Sequence, residues 1–135
     1  MHSQRLLDHF QNPRNAGEIE EPDVMVEVSN PICGDILRLT ADLDHGRIKR
    51  LRYKTRGCTA AIAVGSALTE LLLGRSAEEA AALDREQVEE AVGGLANESK
   101  HAAVLALDAV KELLKKIKEP APSRRGAPSL PTSAS

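Results

Sequence analysis

The chain has 135 residues and a mass near 14.5 kDa, enough for one domain and not comfortably for two. Its 18 basic and 20 acidic side chains leave a formal charge of −2, so gross charge announces neither a nucleic-acid nor a membrane partner. Its two cysteines, Cys33 and Cys58, are too few for a disulfide framework or for a four-thiolate metal cage within one chain. Hydrophobic residues make up 41%, which supports a folded core; with only Phe10 and Tyr53 as aromatics, that core must be built of Leu, Ile, Val and Ala. The start of the chain has no signal-peptide h-region, and the longest strongly apolar run, 60–64, falls far short of the ~20 residues needed to span a bilayer. The expectation is a soluble, cytoplasmic protein whose thiols serve as ligands, reactive groups or core residues rather than as a bridge.

The elements follow in chain order. A short amphipathic helix opens the chain, capped by Ser3, with Leu6, Leu7 and Phe10 on one face and Asn12-Pro13 ending it. Strands come next. Val24, Val26 and Val28 alternate with Met25, Glu27 and Ser29; residues 35–43 place Leu37, Leu39, Ala41 and Leu43 on one face. Asp44-His45-Gly46 reads as a hairpin turn, and residues 47–55 return with Leu51, Tyr53 and Thr55 in phase. Ile48 is out of phase, which predicts a bulge near Lys49-Arg50. Residues 59–73 are apolar around most of a helix and predict a buried one, closed by Gly74. Ser76 with Glu79, and Asp84 with Gln87, are capping-box patterns for two short helices, the second stopped at Gly93-Gly94. A last helix is expected over about 100–117, where Ala103, Leu107, Val110, Leu114 and Ile117 step by four and three.

Three strands followed by helices predict an α+β fold: a small three-stranded antiparallel sheet packed on one face by helices. The domain is expected over 1–119. Residues 120–135 hold four of the seven prolines and one large apolar residue, Leu130, and read as a disordered tail.

Three positions carry candidate chemistry. Cys58 follows Gly57 at a strand-to-helix junction, where the helix dipole and unpaired N–H groups favour the thiolate form that binds metals and attacks electrophiles; a buried structural cysteine is the alternative. Cys33 and Asp35 lie in Asn30-Pro31-Ile32-Cys33-Gly34-Asp35, where Gly34 allows a tight bend that could aim thiol and carboxylate at one point; an ordinary Asx turn is the alternative. His101 opens the last helix, a place that disfavours the imidazolium, and reads as either a neutral ligand or a surface residue near a cap. His2, His9 and His45 are expected to be solvated. Arg50, Arg52, Lys54 and Arg56 share one strand face, which is either a solvated sheet surface or a docking surface for an acidic partner or nucleic acid.

Together these segments resemble one family. Leu7-Asp8-His9-Phe10-Gln11-Asn12-Pro13-Arg14-Asn15-Ala16-Gly17 resembles the N-terminal signature of the iron–sulfur cluster assembly scaffolds, the IscU type and the N-terminal domain of NifU. The Asn30–Asp35 turn is similar to that family's first ligand turn, and Lys54-Thr55-Arg56-Gly57-Cys58-Thr59-Ala60-Ala61-Ile62-Ala63 to its second. Leu105-Ala106-Leu107-Asp108-Ala109-Val110-Lys111 resembles the start of its last helix, so the likeness covers about residues 3–117. It implies a metal site at Cys33, Asp35, Cys58 and His101, with Ala102 in the place of the family's third cysteine. The family's chaperone-recognition motif, leucine-proline-proline-valine-lysine, is replaced by Leu95-Ala96-Asn97-Glu98-Ser99.

The implied function is cluster assembly without enzymatic turnover. The cargo would be iron or a labile [2Fe–2S] cluster, and the same donors could take Zn2+. The implied partners are a cysteine desulfurase and acceptor apoproteins, with neither nucleic acid nor membrane; a homodimer would bring four thiolates to a shared cluster. The missing cysteine keeps two alternatives open: a zinc-bound adaptor for the desulfurase, and a sulfur carrier that accepts persulfide sulfur on Cys58.

Overall fold

Period-two alternation becomes a three-stranded antiparallel sheet of order β1-β2-β3, with β1 at Val24–Ser29, β2 at Ile36–Asp44 and β3 at Arg47–Arg56. The structure is a computed structural model and describes residues 2–31 and 34–118. Cys33 and the tail expected over 120–135 lie outside the described residues. Val26, Leu37, Leu39, Ala41, Leu51 and Tyr53 point to one buried face, as the alternation requires. The register shifts between Asp42/Leu43, so that Arg50 pairs with Asp42 while Ile48 pairs with Leu43. That bulge returns Ile48 to the core, where it is 1% exposed. The turn between β2 and β3 places His45 at φ 52 and Gly46 at φ 76, a left-handed pair suited to a two-residue hairpin loop.

Helices α1 (Gln4–Gln11), α2 (Thr59–Leu72), α3 (Ala77–Ala81), α4 (Arg85–Ala91) and α5 (His101–Lys118) complete the fold, with a 3₁₀ turn at Asn97–Ser99 before α5. Both expected capping boxes are present: Ser76 with Glu79 starts α3, and Asp84 with Gln87 starts α4. Helix α2 ends one residue earlier than the apolar run suggests, because Leu73 turns extended and Gly74 follows at φ 84. Helix α2 is buried on nearly all sides and packs on β3, α1, α4 and α5, while α5 also covers β1 and β2.

The contact of α2 with β3 is unusually close. A Cβ placed on Gly65, in the middle of α2, would lie 2.6 Å from Cδ2 and Cε2 of Tyr53. The Tyr53 hydroxyl donates to the Ile62 carbonyl one turn earlier, at 2.9 Å. Burial pushes the Tyr53 pKa up to about 12, so the ring stays neutral as it must in that position.

Two expectations for α1 are corrected. Its buried residues are Leu6 and His9, whereas Leu7 and Phe10 are each 37% exposed. His9, expected to be solvated, is 7% exposed and its Nδ1 lies 2.8 Å from Ser66 Oγ on α2. The Ser66 hydroxyl also accepts from the Arg14 amide at 2.9 Å, and Asn15 Nδ2 donates to Thr69 Oγ1 at 3.0 Å. The inner face of α1 can therefore be half polar, because α2 supplies a partner for every polar group it buries. The chain then covers the outer edge of β3: Gly17 N–H donates to the Tyr53 carbonyl at 2.8 Å and Tyr53 N–H to the Asn15 carbonyl at 3.0 Å. Ile19 continues over the outer face of the sheet, where its N–H donates to Thr40 Oγ1 at 3.0 Å and both residues are buried.

Two outcomes follow. Gly65→Ala forces a methyl into the Tyr53 ring and should cost about 1–3 kcal/mol of stability, measured as a lowered urea midpoint with an unchanged denaturant slope. For His9, burial first and the Arg14 charge second hold the pKa below its usual value, against the raising influence of Glu70 and Asp8. The unfolded chain thus takes up this proton before the native protein does. The stability that His9 contributes is full above the unfolded pKa of about 6.5 and is lost as pH falls through that value toward the lowered native one. His9→Gln should flatten the decline in urea midpoint between about pH 7.5 and about pH 5.5.

Candidate metal centre

The β2–β3 ladder ends on the pair Ile36↔Arg56. Asp35 immediately precedes that pair and Gly57 immediately follows it, so the register alone sets them side by side. The approach is close enough that a Cβ on Gly57 would lie 2.8 Å from Asp35 Cγ and 2.9 Å from Oδ1. On the other side Asp35 is held by a turn in which its carbonyl accepts from Asn30 N–H at 2.8 Å and Gly34 N–H donates to the Asn30 carbonyl at 2.7 Å. Asp35 stands just before β2 rather than inside it, which frees its side chain from the alternation of the strand.

Cys58 is the N-cap residue of α2 and makes no side-chain capping hydrogen bond. Its thiol is exposed and therefore available at the positive end of the helix. His101 is the first residue of α5. Its Nε2 lies 3.2 Å from Asp35 Oδ2 and 3.9 Å from Cys58 Sγ. One ligand atom each from Asp35, Cys58 and His101 lies within 4.8 Å of the others. Three of the four residues expected at a metal site are thus brought together, and the fourth, Cys33, lies outside the described residues.

Burial is graded across the cluster. Asp35 is 5% exposed, the His101 side chain 27%, and Cys58 is open to solvent. Asp35 Oδ2 is buried without a hydrogen bond, although it faces the His101 ring. A buried carboxylate oxygen without a hydrogen bond is uncommon and costly, and a cation between these three groups would satisfy it. Carboxylate oxygen, imidazole nitrogen and thiolate sulfur are all ligand types that zinc and iron accept. Ala102, next to His101, is buried and brings no donor atom.

The basic strand face meets its own acids. Arg50 pairs with Asp42 at 2.7 Å, Lys54 with Glu18 at 3.6 Å, and neighbouring Arg38 with Glu18 at 3.1 Å and Glu27 at 2.9 Å. Arg52 donates to the Ala16 carbonyl at 3.3 Å. Arg50 and Lys54 of the stripe thus meet acids within the fold, which favours the solvated-face alternative for that part of it. Gly57 is a site residue beyond those expected; its signal in the sequence is a glycine between a strand and a ligand-type residue.

Residues 1–121 match the family described as the NifU-like N terminal domain. The chain belongs to this family. It is 42% identical over 114 residues to the iron–sulfur cluster assembly scaffold protein IscU 1 of Archaeoglobus fulgidus, a match covering 84% of this chain and 74% of that protein. It is 38% identical over 114 residues to the IscU scaffold of Escherichia coli, covering 82% of this chain and 88% of the relative. The fold is similar to the crystal structure of the N-terminal part of a NifU-like protein from Brucella abortus, with a TM-score of 0.70 at 20% identity over 88% of this chain and 95% of that one. The NifU-like frame thus extends over all the described elements.

Gly57 offers a direct test of how tightly this NifU-like frame holds Asp35. Gly57→Ala should displace the carboxylate, seen as a shift of the Asp35 side-chain carbon resonance. It should also weaken Co2+ binding by about 10–100-fold, the usual effect of disturbing a group that positions a ligand; an unchanged affinity would show that Asp35 takes no part.

Proposed function

We propose that this chain is an iron–sulfur cluster assembly scaffold. It would hold iron or a labile [2Fe–2S] cluster as cargo on Cys33, Asp35, Cys58 and His101 and release it to acceptor apoproteins. The observation that carries this reading is the convergence of Asp35, Cys58 and His101 from three separate elements, with a buried carboxylate oxygen that has no hydrogen bond. The scaffold names carried by relatives at 42% and 38% identity support it. The cytoplasm is the compartment this reading implies, since free thiols persist where disulfides do not form. No helix among the described residues is long and apolar enough to cross a membrane.

Each group has a task in this reading. Cys58, exposed at the start of α2, is the donor that incoming iron or sulfur meets first. A cysteine desulfurase supplies the sulfur: the Cys58 thiolate attacks the outer sulfur of the desulfurase persulfide, and the desulfurase thiolate leaves. Asp35 supplies a fixed negative charge at the buried end of the site, and His101 a nitrogen donor from the opposite side. The scaffold is not an enzyme in this scheme, because turnover takes place on the desulfurase. A cluster shared between two chains is the other form open to this reading, and it would draw on four thiolates instead of two.

The mixed donor set also favours a second reading, a zinc-bound adaptor, because nitrogen, oxygen and sulfur donors together suit tetrahedral zinc. Anaerobic reconstitution with Fe2+ and sulfide, followed by absorbance and Mössbauer spectra, separates the two. A scaffold forms a cluster that Cys58→Ser and His101→Ala lose. Tight zinc retention with no cluster formed would overturn the scaffold reading. A large gain in cluster yield on Ala102→Cys would likewise favour the adaptor.

A further inference from the structure

We propose that Glu89 and Lys100 are positioning residues for the metal centre: the Glu89 carboxylate holds the Lys100 ammonium and thereby sets the first turn of α5, from which His101 reaches Asp35 and Cys58. The inference rests on the scaffold reading for the purpose of the site, while the anchor itself is a matter of geometry.

The three donors are not held alike. Asp35 and Cys58 flank one hairpin and are fixed by its last pair, Ile36↔Arg56. His101 arrives from 43 residues beyond Cys58, on a helix whose start must be located by something else. Lys100 is where that helix begins. Its carbonyl accepts from Ala103 N–H at 3.1 Å and from Val104 N–H at 3.4 Å, which closes the turn that carries His101. The N-cap of the 3₁₀ turn before it is Ala96, which provides no side-chain cap. The Lys100 ammonium instead reaches across to α4 and lies 3.0 Å from Glu89 Oε1.

Glu89 is a well-founded anchor. Its side chain is 17% exposed, its Oε2 is buried without a hydrogen bond, and a second cation, Arg85 Nε, lies 3.5 Å from that oxygen. Loss of Lys100 would leave the enclosed Glu89 carboxylate with only the longer Arg85 contact and would remove the hydrogen bond that ties it to the start of α5. The last turn of α4 is itself pinned. The Glu89 carbonyl accepts from Gly94 N–H at 2.7 Å, the Ser3 hydroxyl donates to the Val92 carbonyl, and Arg5 Nη1 donates to the Glu90 carbonyl at 3.0 Å. A rigid turn thus grips the residue that precedes a ligand, as groups supporting a ligand do at metal sites generally.

The test uses the full chain with Lys100→Met, Glu89→Gln and the conservative Lys100→Arg. In metal-free protein, amide hydrogen exchange at Ala103 and Val104 should rise about 10-fold in Lys100→Met and Glu89→Gln, with Val110 and Leu113 unchanged. Zn2+ affinity, measured by competition with a chromophoric chelator, should fall about 10–100-fold in the same two variants and recover in Lys100→Arg. Exchange that is unchanged, or that rises evenly along α5, would overturn the anchor. Faster exchange at the first turn with full Zn2+ affinity would reduce the pair to a structural role and overturn the proposal. If the wild-type chain binds neither Zn2+ nor a cluster, the scaffold reading fails by itself, and the exchange pattern still decides whether Glu89 fixes the turn of His101. Glu89→Gln keeps the shape of the side chain and carries the test if Lys100→Met does not fold.

Discussion

Helix α2 can lie where it does only because Gly65 presents no side chain to Tyr53. The ring of Tyr53 occupies the space a Cβ would fill, and its hydroxyl closes on the Ile62 carbonyl of the same helix. That contact fixes both the depth and the rotation of α2 on β3. Only Gly57 and Cys58 separate the end of β3 from the start of α2, so a helix fixed in rotation leaves the Cys58 thiol little choice of direction. A second glycine, Gly57, then lets Asp35 close up against the same junction. The backbone of Tyr53 meanwhile receives residues 15–17 along the free edge of β3. Core packing, edge protection and the placement of two candidate ligands thus meet at one residue.

The polar groups buried around this contact account for how the N-terminal arm is held. Ser66 and Thr69 would be liabilities inside an apolar helix. Here Ser66 serves His9 and the Arg14 amide, and Thr69 serves Asn15, so the arm is stitched to α2 by hydrogen bonds rather than by apolar contact alone. Such bonds add little net free energy while all are made, and each is expensive to break singly. The arm is therefore held in one register by the cost of every alternative, which suits a segment that must pass from α1 over the sheet edge without slipping.

Most of the frame was legible because it rests on local rules. The alternation of Val24, Val26 and Val28, the out-of-phase Ile48 and the two capping boxes each depend on residues a few positions apart. What escaped the sequence depends on partners far along the chain. His9 looked solvated because its partner, Ser66, is 57 residues away. The basic strand face left a solvated surface and a docking surface both open, because the acids that meet Lys54 and Arg50, Glu18 and Asp42, sit on other segments. Leu7 and Phe10 follow helical spacing, yet the spacing cannot say which side of the helix finds a neighbour. The candidate site stands between these cases. Residue types and the family resemblance pointed to Asp35, Cys58 and His101, while the role of Gly57 in seating Asp35 became visible only in three dimensions.

The graded burial of the three donors bears on how a cargo could be both held and given up. Because the donors come from three elements far apart in sequence, the site exists only when the chain is folded, and any metal bound there stabilises the fold by mass action. The grip is uneven. Asp35 sits at the closed end, enclosed and supported by the hairpin, whereas Cys58 stands in solvent with no hydrogen bond to its helix. Exchange of a bound ion would therefore begin at the thiolate, which a competing thiolate of an acceptor protein can reach and displace, while the carboxylate and imidazole still hold the other side. A closed four-thiolate cage offers no such open edge and retains its metal. In the proposed scaffold, the same asymmetry that leaves the site short of thiolates gives the cargo a defined way out.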